Sequence, residues 1–178
     1  LGQALGNVVA GFGEQKGRKQ KKARQDSQIS GENLLTNAID YHIRGDLVNA
    51  ESTYREAIKS GYRNHAIFIN LGVICKNNGR FEEAIALYKK AIEINSDEPD
   101  AYTNLGNLYQ NLGNFEGAVA YSGKSLELKP DNPEALITLG WSQKELGNLD
   151  QAVASTLKAL ELKPNNPDAL MNLGGIFK

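Results

Sequence analysis

The order of apolar and polar positions repeats along the chain with a period of 34 residues. A Leu-Gly pair marks each copy, at 71–72, 105–106, 139–140 and 173–174, and Ala38 stands one period before the first of these glycines. Within each period, two stretches of roughly 12 to 15 residues place apolar side chains three and four positions apart, the spacing of one helix face. No strand-like alternation interrupts them. The pattern therefore predicts an all-α fold with two helices per repeat.

Capping residues divide each repeat into its two helices. Residues that favour helix starts stand at the beginning of each copy, at Ser30, Asn64, Glu98, Asn132 and Asn166, the last three followed by proline. A glycine able to end the first helix in the left-handed conformation recurs at Gly45, Gly79, Gly113 and Gly147. We expect the second helix to be capped by Asp46, Asn114 and Asn148, while Arg80 breaks this column.

The glycines inside the first helices need a separate reason, because glycine costs a helix about 0.5–1 kcal/mol relative to alanine. Each of Gly72, Gly106 and Gly140 is followed 12 residues later by an alanine of the second helix, at Ala84, Ala118 and Ala152. We expect these small residues to let the two helices pack closely. The packing would offset the cost in helix propensity.

The copy AYTNLGNLYQNLGNFEGAVAY, which begins at residue 101 and is followed by LKP, resembles the tetratricopeptide repeat family. The unit of that family has the same 34-residue period and the pattern W-x2-L-G-x2-Y, A-x3-F and P. The resemblance extends over residues 31–178. It implies a right-handed superhelical solenoid of antiparallel helix pairs.

The repeat gives the domain boundaries. We predict an N-terminal arm over residues 1–30 and an array over 31–178, divided into 31–64, 65–98, 99–132, 133–166 and a partial repeat 167–178. The partial repeat leaves Leu170, Leu173 and Phe177 without a second helix to cover them. We therefore expect the parent protein to continue beyond this chain, and this uncapped C-terminal helix also offers a surface for a homo-oligomer.

A second, more polar stripe runs beside the apolar stripe of each first helix. In tetratricopeptide arrays this stripe lines the concave groove, so the resemblance implies a site for an extended peptide or a partner helix. The predicted groove residues are Asn70, Asn104, Asn172, Thr138, Asn107, Lys76, Gln110, Lys144 and Trp141. Together they predict a groove that is polar, rich in amides and mildly basic.

The column of Asn70, Asn104 and Asn172 resembles the asparagine ladder in the repeats of the O-linked N-acetylglucosamine transferase. Asparagine both donates and accepts hydrogen bonds, so it can pair with a peptide backbone whatever the side chains are. Thr36 and Thr138 interrupt the column, and asparagine is also a common filling of this position. For Trp141, an anchor for peptide and a plain packing role remain equal alternatives.

Chaperone-binding members of the family hold a C-terminal carboxylate with basic residues. The equivalent columns here contain no Lys or Arg: they hold Leu35, Ile69, Thr103, Glu134, Thr138, Asp168 and Asn172. We therefore predict that the groove does not bind an acidic chaperone tail.

The sequence offers little for catalysis. It contains two histidines and one cysteine, and no phosphate-binding loop or spaced set of metal ligands. Cys75 falls in an apolar column and is predicted to be a buried thiol. No catalytic residue, no cofactor and no metal site is predicted, and the protein is not expected to be an enzyme.

Charge is distributed unevenly between the arm and the array. Residues 1–30 carry six Lys or Arg and two acidic residues, whereas residues 31–178 carry fourteen and nineteen. Only the arm, with KGRKQKKAR at 16–24, offers a contact for nucleic acid or an anionic membrane. Its alternative role is a solubilising linker. No apolar run approaches the ~20 residues of a membrane span, and a single thiol fits a reducing, cytoplasmic setting.

Three functions follow from these patterns. The leading one is a non-catalytic scaffold for protein–protein interaction, with a peptide or partner helix in the groove. The second is the substrate-recruiting part of a larger glycosyltransferase or sulfotransferase. In the third, the basic arm tethers the array to membrane or nucleic acid.

Overall fold

The computed structural model describes residue 21 and residues 25–177. The described residues before Asn64 form one compact unit, and those from Asn64 onwards form another. The first unit contains α1 (residues 25–43) and α2 (Leu47–Lys59). The second contains α3 (His65–Asn77), α4 (Phe81–Ile94), α5 (Pro99–Asn111), α6 (Phe115–Leu128), α7 (Pro133–Glu145), α8 (Leu149–Leu162) and α9 (Pro167–Ile176). The described residues contain no strand, and the predicted all-α fold is confirmed.

Most helices begin where the capping residues predict. The side chains of Asn64, Asn132 and Asn166 accept a backbone N–H from the first turns of α3, α7 and α9. Asp46 and Asn114 cap α2 and α6 in the same way. Each of these bonds satisfies a donor that the helix itself leaves open.

The predicted cap at Ser30 is wrong, and Asn148 takes the predicted N-cap position of α8 without the hydrogen bond. Helix α1 continues through Ser30 and Gly31. Gly31 keeps a helical conformation without positive φ and packs against the Tyr62 side chain.

The turns between paired helices use glycine as the sequence predicts. Gly45, Gly79, Gly113 and Gly147 have φ values of 78°, 73°, 74° and 78°. A side chain is strained in this left-handed region, so glycine is the residue that fits. The turns after α3, α5 and α7 fold α4, α6 and α8 back as antiparallel partners.

The glycines inside the first helices permit close packing, but not mainly against the predicted alanines. A Cβ on Gly72 would lie 2.6 Å from the ring of Tyr88, and one on Gly140 would lie 2.6 Å from Thr156 Oγ1. The nearest alanine atom lies farther away: the Ala152 carbonyl oxygen would be 3.2 Å from a Cβ on Gly140. The larger side chain one turn beyond the alanine therefore sets the need for glycine.

The core of the second unit gains buried polar side chains along the chain. Its first repeat buries Ile67, Leu71, Ile74 and Tyr88 completely or almost so. Later repeats keep apolar core residues such as Leu105, Leu108 and Leu136, and they also bury small polar side chains: Ser122, Ser125, Ser142, Thr156 and Asn172. The last of these donates from Nδ2 to Thr156 Oγ1 at 2.9 Å, so part of this core is held by specific hydrogen bonds.

The first helices of consecutive repeats lie side by side. Helix α7 contacts α5 on one side and α9 on the other, which joins their polar stripes into one face. At α9 the apolar stripe stays exposed within the described residues: Leu170 is 50% and Phe177 is 74% exposed. In α7 the equivalent Leu136 and Gln143 are buried.

Candidate functional site

A groove of about 750 Å³ lies on the face formed by the first helices of the second unit. It runs from the C-terminal end of α5, across α7, to the N-terminus of α9. Its lining residues are Asn107, Gln110, Asn111, Gly113, Phe115, Glu134, Ile137, Thr138, Trp141, Glu145, Asn166 and Asp168. We call this surface the α5–α7–α9 groove.

Four of the nine predicted groove residues line this groove: Asn107, Gln110, Thr138 and Trp141. The other five, Asn70, Lys76, Asn104, Lys144 and Asn172, do not. Asn70 and Lys76 lie half-buried on α3, the first helix of the unit. The structure thus brings together the predicted residues at the C-terminal half of α5 and along α7.

The predicted asparagine ladder does not form a continuous row of free amides. Asn104 is half-buried, and its Nδ2 donates to the Asp100 carbonyl 2.9 Å away. Asn172 is 1% exposed and points to Thr156. Thr138 is 2% exposed, and its hydroxyl donates to the Glu134 carbonyl at 3.0 Å. A residue can therefore lie on the helix face that forms the groove and still have its side chain engaged inside the protein, where it cannot bind a peptide.

Amide side chains form the α5 wall of the groove. Asn107, Gln110 and Asn111 stand on one face of the helix, and Asn111 Nδ2 lies 3.4 Å from Asn107 Oδ1. Because a primary amide carries two donors and an acceptor, this wall can pair with either side of a peptide bond.

Trp141 forms the centre of the α7 wall and already holds a cation. The Nζ atom of Lys144 lies 4.6 Å from the centroid of the Trp141 ring, a cation–π distance. The same Nζ is 2.8 Å from Glu145 Oε1. Trp141 therefore presents an aromatic surface in the groove beside a lysine–glutamate pair.

The charge of the lining differs from the prediction. Three lining residues are acidic, Glu134, Glu145 and Asp168, and none is Lys or Arg. The expectation of a mildly basic groove is wrong here, because Lys76 and Lys144 do not line it. Lys163 Nζ donates to Glu134 Oε1 at 2.6 Å, and this hydrogen bond holds the pKa of Glu134 below its ordinary value.

Eight of the twelve lining residues are not among the nine predicted, and three of the eight lie outside the first helices. Gly113 lies in the turn after α5, Phe115 begins α6, and Asn166 caps α9. Helical periodicity marks positions along one helix and says nothing about turns that close a groove from its ends. The one signal in the sequence that these residues line the groove is that each stands next to a predicted helix boundary.

The residues with catalytic potential are placed as follows. Cys75 is fully buried, as predicted. His65 Nε2 lies 3.1 Å from Glu98 Oε2, at the first turn of α3. In the part of the chain that the structure describes, no group of three or more His, Cys, Asp or Glu is placed to hold a metal ion.

Residues 1–20 and 22–24, which include most of the basic segment, lie outside the described residues. Among the helices that are described, none has both the length and the apolar character needed to cross a membrane.

Family models match most of the second unit. A model described as TPR repeat matches residues 72–113 and 142–178, and one described as Tetratricopeptide repeat matches 99–132. Together these matches cover more than half of the chain. The chain belongs to the tetratricopeptide repeat family.

Solved structures share this fold. The crystal structure of MamA is 20% identical with a TM-score of 0.73, and the match covers 83% of this chain and 80% of MamA. A tetratricopeptide repeat protein from Parabacteroides merdae is 28% identical with a TM-score of 0.71; the match covers 83% of this chain and 59% of that one. A comparison with curated proteins gives no match.

One similar structure contains a peptide. The first tetratricopeptide domain of Spaghetti (RPAP3), bound to the HSP90 peptide SRMEEVD, is 26% identical with a TM-score of 0.62. The match covers 64% of this chain and 90% of that domain. Similarity to the repeats of the O-linked N-acetylglucosamine transferase, expected from the asparagine column, is not shown by these comparisons.

Proposed function

We propose that this chain is a non-catalytic interaction scaffold that binds an extended peptide in the α5–α7–α9 groove. The observation that carries the proposal is the groove itself: about 750 Å³ of open space that joins an amide wall on α5 to Trp141 on α7. This volume lies within the range of about 300–1,000 Å³ that is typical of ligand pockets. The groove therefore has room for side chains of a bound peptide.

The two walls supply different parts of the binding energy. Each hydrogen bond from Asn107, Gln110 or Asn111 to the peptide backbone adds only about 0.5–1.5 kcal/mol. Micromolar affinity requires about 8 kcal/mol, so apolar contacts must supply much of the rest. Trp141, Ile137 and Phe115 in the lining provide that surface. The RPAP3 domain, which has the same fold and is bound to a peptide, supports the proposal that this chain binds a peptide.

The groove can be tested by its own fluorescence, because Trp141 is the only tryptophan of the chain. A peptide array first selects binders of the full chain. Titration of a selected peptide should then change the Trp141 emission. The double variant Asn107→Ala with Gln110→Ala should bind about 5- to 150-fold more weakly, the effect of two lost hydrogen bonds.

Gln151→Ala is the matched control, because Gln151 is an exposed amide on α8 that does not line the groove. It should bind as the unmodified chain does, and all variants should unfold at the same urea concentration. If no selected peptide alters the Trp141 emission, or if the double variant binds undiminished, the proposal is wrong.

A further inference from the structure

The carboxylates of the groove are partly neutralised by lysines that do not line it. Lys144 Nζ lies 2.8 Å from Glu145 Oε1 and 4.6 Å from the Trp141 ring centroid. Lys163 Nζ lies 2.6 Å from Glu134 Oε1. Asp168, which is exposed at the first turn of α9, forms no ion pair with any described residue. Two lysines from outside the lining thus pair with Glu145 and Glu134, and Asp168 is the lining carboxylate that has no such partner among the described residues.

We propose that the peptide recognised by this groove carries a positively charged side chain, arginine above all, which displaces Lys144 from Trp141 and Glu145. This inference rests on the proposed function and adds the chemical class of the ligand. A peptide with acidic side chains at the same place is excluded.

The walls match a guanidinium group in three ways. The face of an indole ring attracts a cation, and the position of Lys144 shows that a cation sits on this ring. The carboxylate of Glu145, which holds Lys144 beside the ring, has two oxygens that suit the planar donors of arginine better than a lysine ammonium. The amide oxygens of Asn107 and Gln110 accept the remaining N–H groups.

Lys144 behaves as an internal competitor in this account. It is half-buried, its chain lies against α9, and an ideal Cβ on Gly175 would be 3.5 Å from its Nζ. Its pair with Glu145 is partly exposed, with 21% and 35% of the two side chains accessible. Exposed and partly exposed ion pairs contribute little stability, so a ligand cation can replace Lys144 at small cost.

An acidic ligand meets the opposite situation. The lining offers it three carboxylates and no Lys or Arg, and the two nearby lysines are already engaged. Like charges at close range disfavour binding. The groove should therefore reject peptides of the acidic kind that the RPAP3 domain binds.

The test uses the full chain and three capped peptides of about ten residues, each long enough at ~3.3 Å per residue to cross the groove. Serine and leucine alternate around one central position, which is arginine, glutamine or glutamate. Trp141 emission reports binding, so attachment of the glutamate peptide to the basic arm does not register. We expect the arginine peptide to bind about 10-fold more tightly than the glutamine peptide, and the glutamate peptide more weakly still.

Two variants separate this inference from a merely structural role. Lys144→Met removes the competitor and should tighten binding of the arginine peptide by about threefold to tenfold, although it deletes a side-chain contact. Asp168→Asn should weaken it by about threefold. Asp150→Asn is the control, because Asp150 is also an exposed acidic residue in the first turn of its helix, α8, and does not line the groove.

Equal binding of the three peptides would overturn the charge specificity and leave the proposed function intact. Tighter binding of the glutamate peptide, or weaker or unchanged arginine binding by Lys144→Met, would overturn it as well. Absence of any change in Trp141 emission with all peptides, including those selected on the array, would overturn both proposals.

Discussion

Gly72 and Gly174 show how one residue type at one repeat position meets two different environments. Both follow a leucine in the first helix of a repeat, three periods apart. A Cβ on Gly72 would lie 2.6 Å and 2.9 Å from two ring atoms of Tyr88, which is fully buried. A Cβ on Gly174 would meet nothing within 4 Å. Packing therefore requires glycine at position 72, where Tyr88 covers the helix, and does not require it at position 174.

Replacing each glycine by alanine should change stability in opposite directions. Gly72→Ala should destabilise the chain by about 1–3 kcal/mol, because the buried ring of Tyr88 cannot move aside without strain. Gly174→Ala should stabilise it by up to about 1 kcal/mol through helix propensity. Urea unfolding followed by circular dichroism measures both. Equal and small effects would show that the close approach at Gly72 does not constrain the residue.

The spacing of the residues places these glycines on one helix face but does not identify the side chains that they contact. The sequence suggested the alanine column as the contact, whereas Tyr88, Ser122 and Thr156 make the nearest approach. Spacing identifies the helix face of a residue, and the contact depends on how far a neighbouring side chain reaches across the helix pair. Three residue types of different length occupy that one column, so no single rule read from the sequence predicts the contact.

The helix α7 begins at a cap that is also part of the core. Asn132 is 3% exposed, and its Oδ1 accepts the Ala135 N–H. Its Nδ2 donates to Thr103 Oγ1 at 2.9 Å and lies 3.3 Å from Ser125 Oγ. One side chain thus starts α7 and joins it to α5 and α6. Asn166 caps α9 in the same way, accepting the Ala169 N–H at 3.0 Å, but is only half-buried.

Removal of these two caps should have unequal costs. Asn166→Ala should destabilise the chain by about 1 kcal/mol, the usual effect of losing an N-cap. Asn132→Ala should cost about 2–3 kcal/mol, because buried polar groups also lose a partner. Both asparagines precede proline, so the helix start is otherwise alike. Urea unfolding of the two variants decides the point, and an equal loss would mean that the buried network adds nothing.

Element boundaries were predictable where a cap and a turn agree. Each of α5, α7 and α9 begins with a proline after a capping residue, and each of Gly79, Gly113 and Gly147 ends a helix pair's first member. Ser30 was a wrong prediction, because a serine alone does not stop the helix that precedes it. The local sequence from 25 to 30 contains neither proline nor glycine, and α1 runs through it.

At the scale of the whole molecule, the repeat predicts a polar face along all the first helices. In the structure, the α5–α7–α9 groove occupies only part of that face. Trp141, Asn107 and Gln110, which belong to the polar stripe, line the groove. Asn172 is absent from it because Thr156 is short and leaves its hydroxyl within reach of the Asn172 amide. Such a pairing between α8 and α9 is a tertiary contact, and a stripe on one helix cannot reveal it. The acidic character of the groove likewise depends on tertiary structure, because it follows from the absence of Lys76 and Lys144 from the lining.

The most direct measurement of the central claim is a two-dimensional NMR spectrum of the side-chain amides, recorded during titration with the tightest-binding peptide. The amide wall of α5 should respond, so the NH₂ signals of Asn107, Gln110 and Asn111 should shift in proportion to bound peptide. Those of Asn49 and Gln151, which lie on α2 and α8, should not move. Peptide binding that leaves the three α5 amides unshifted would contradict the account.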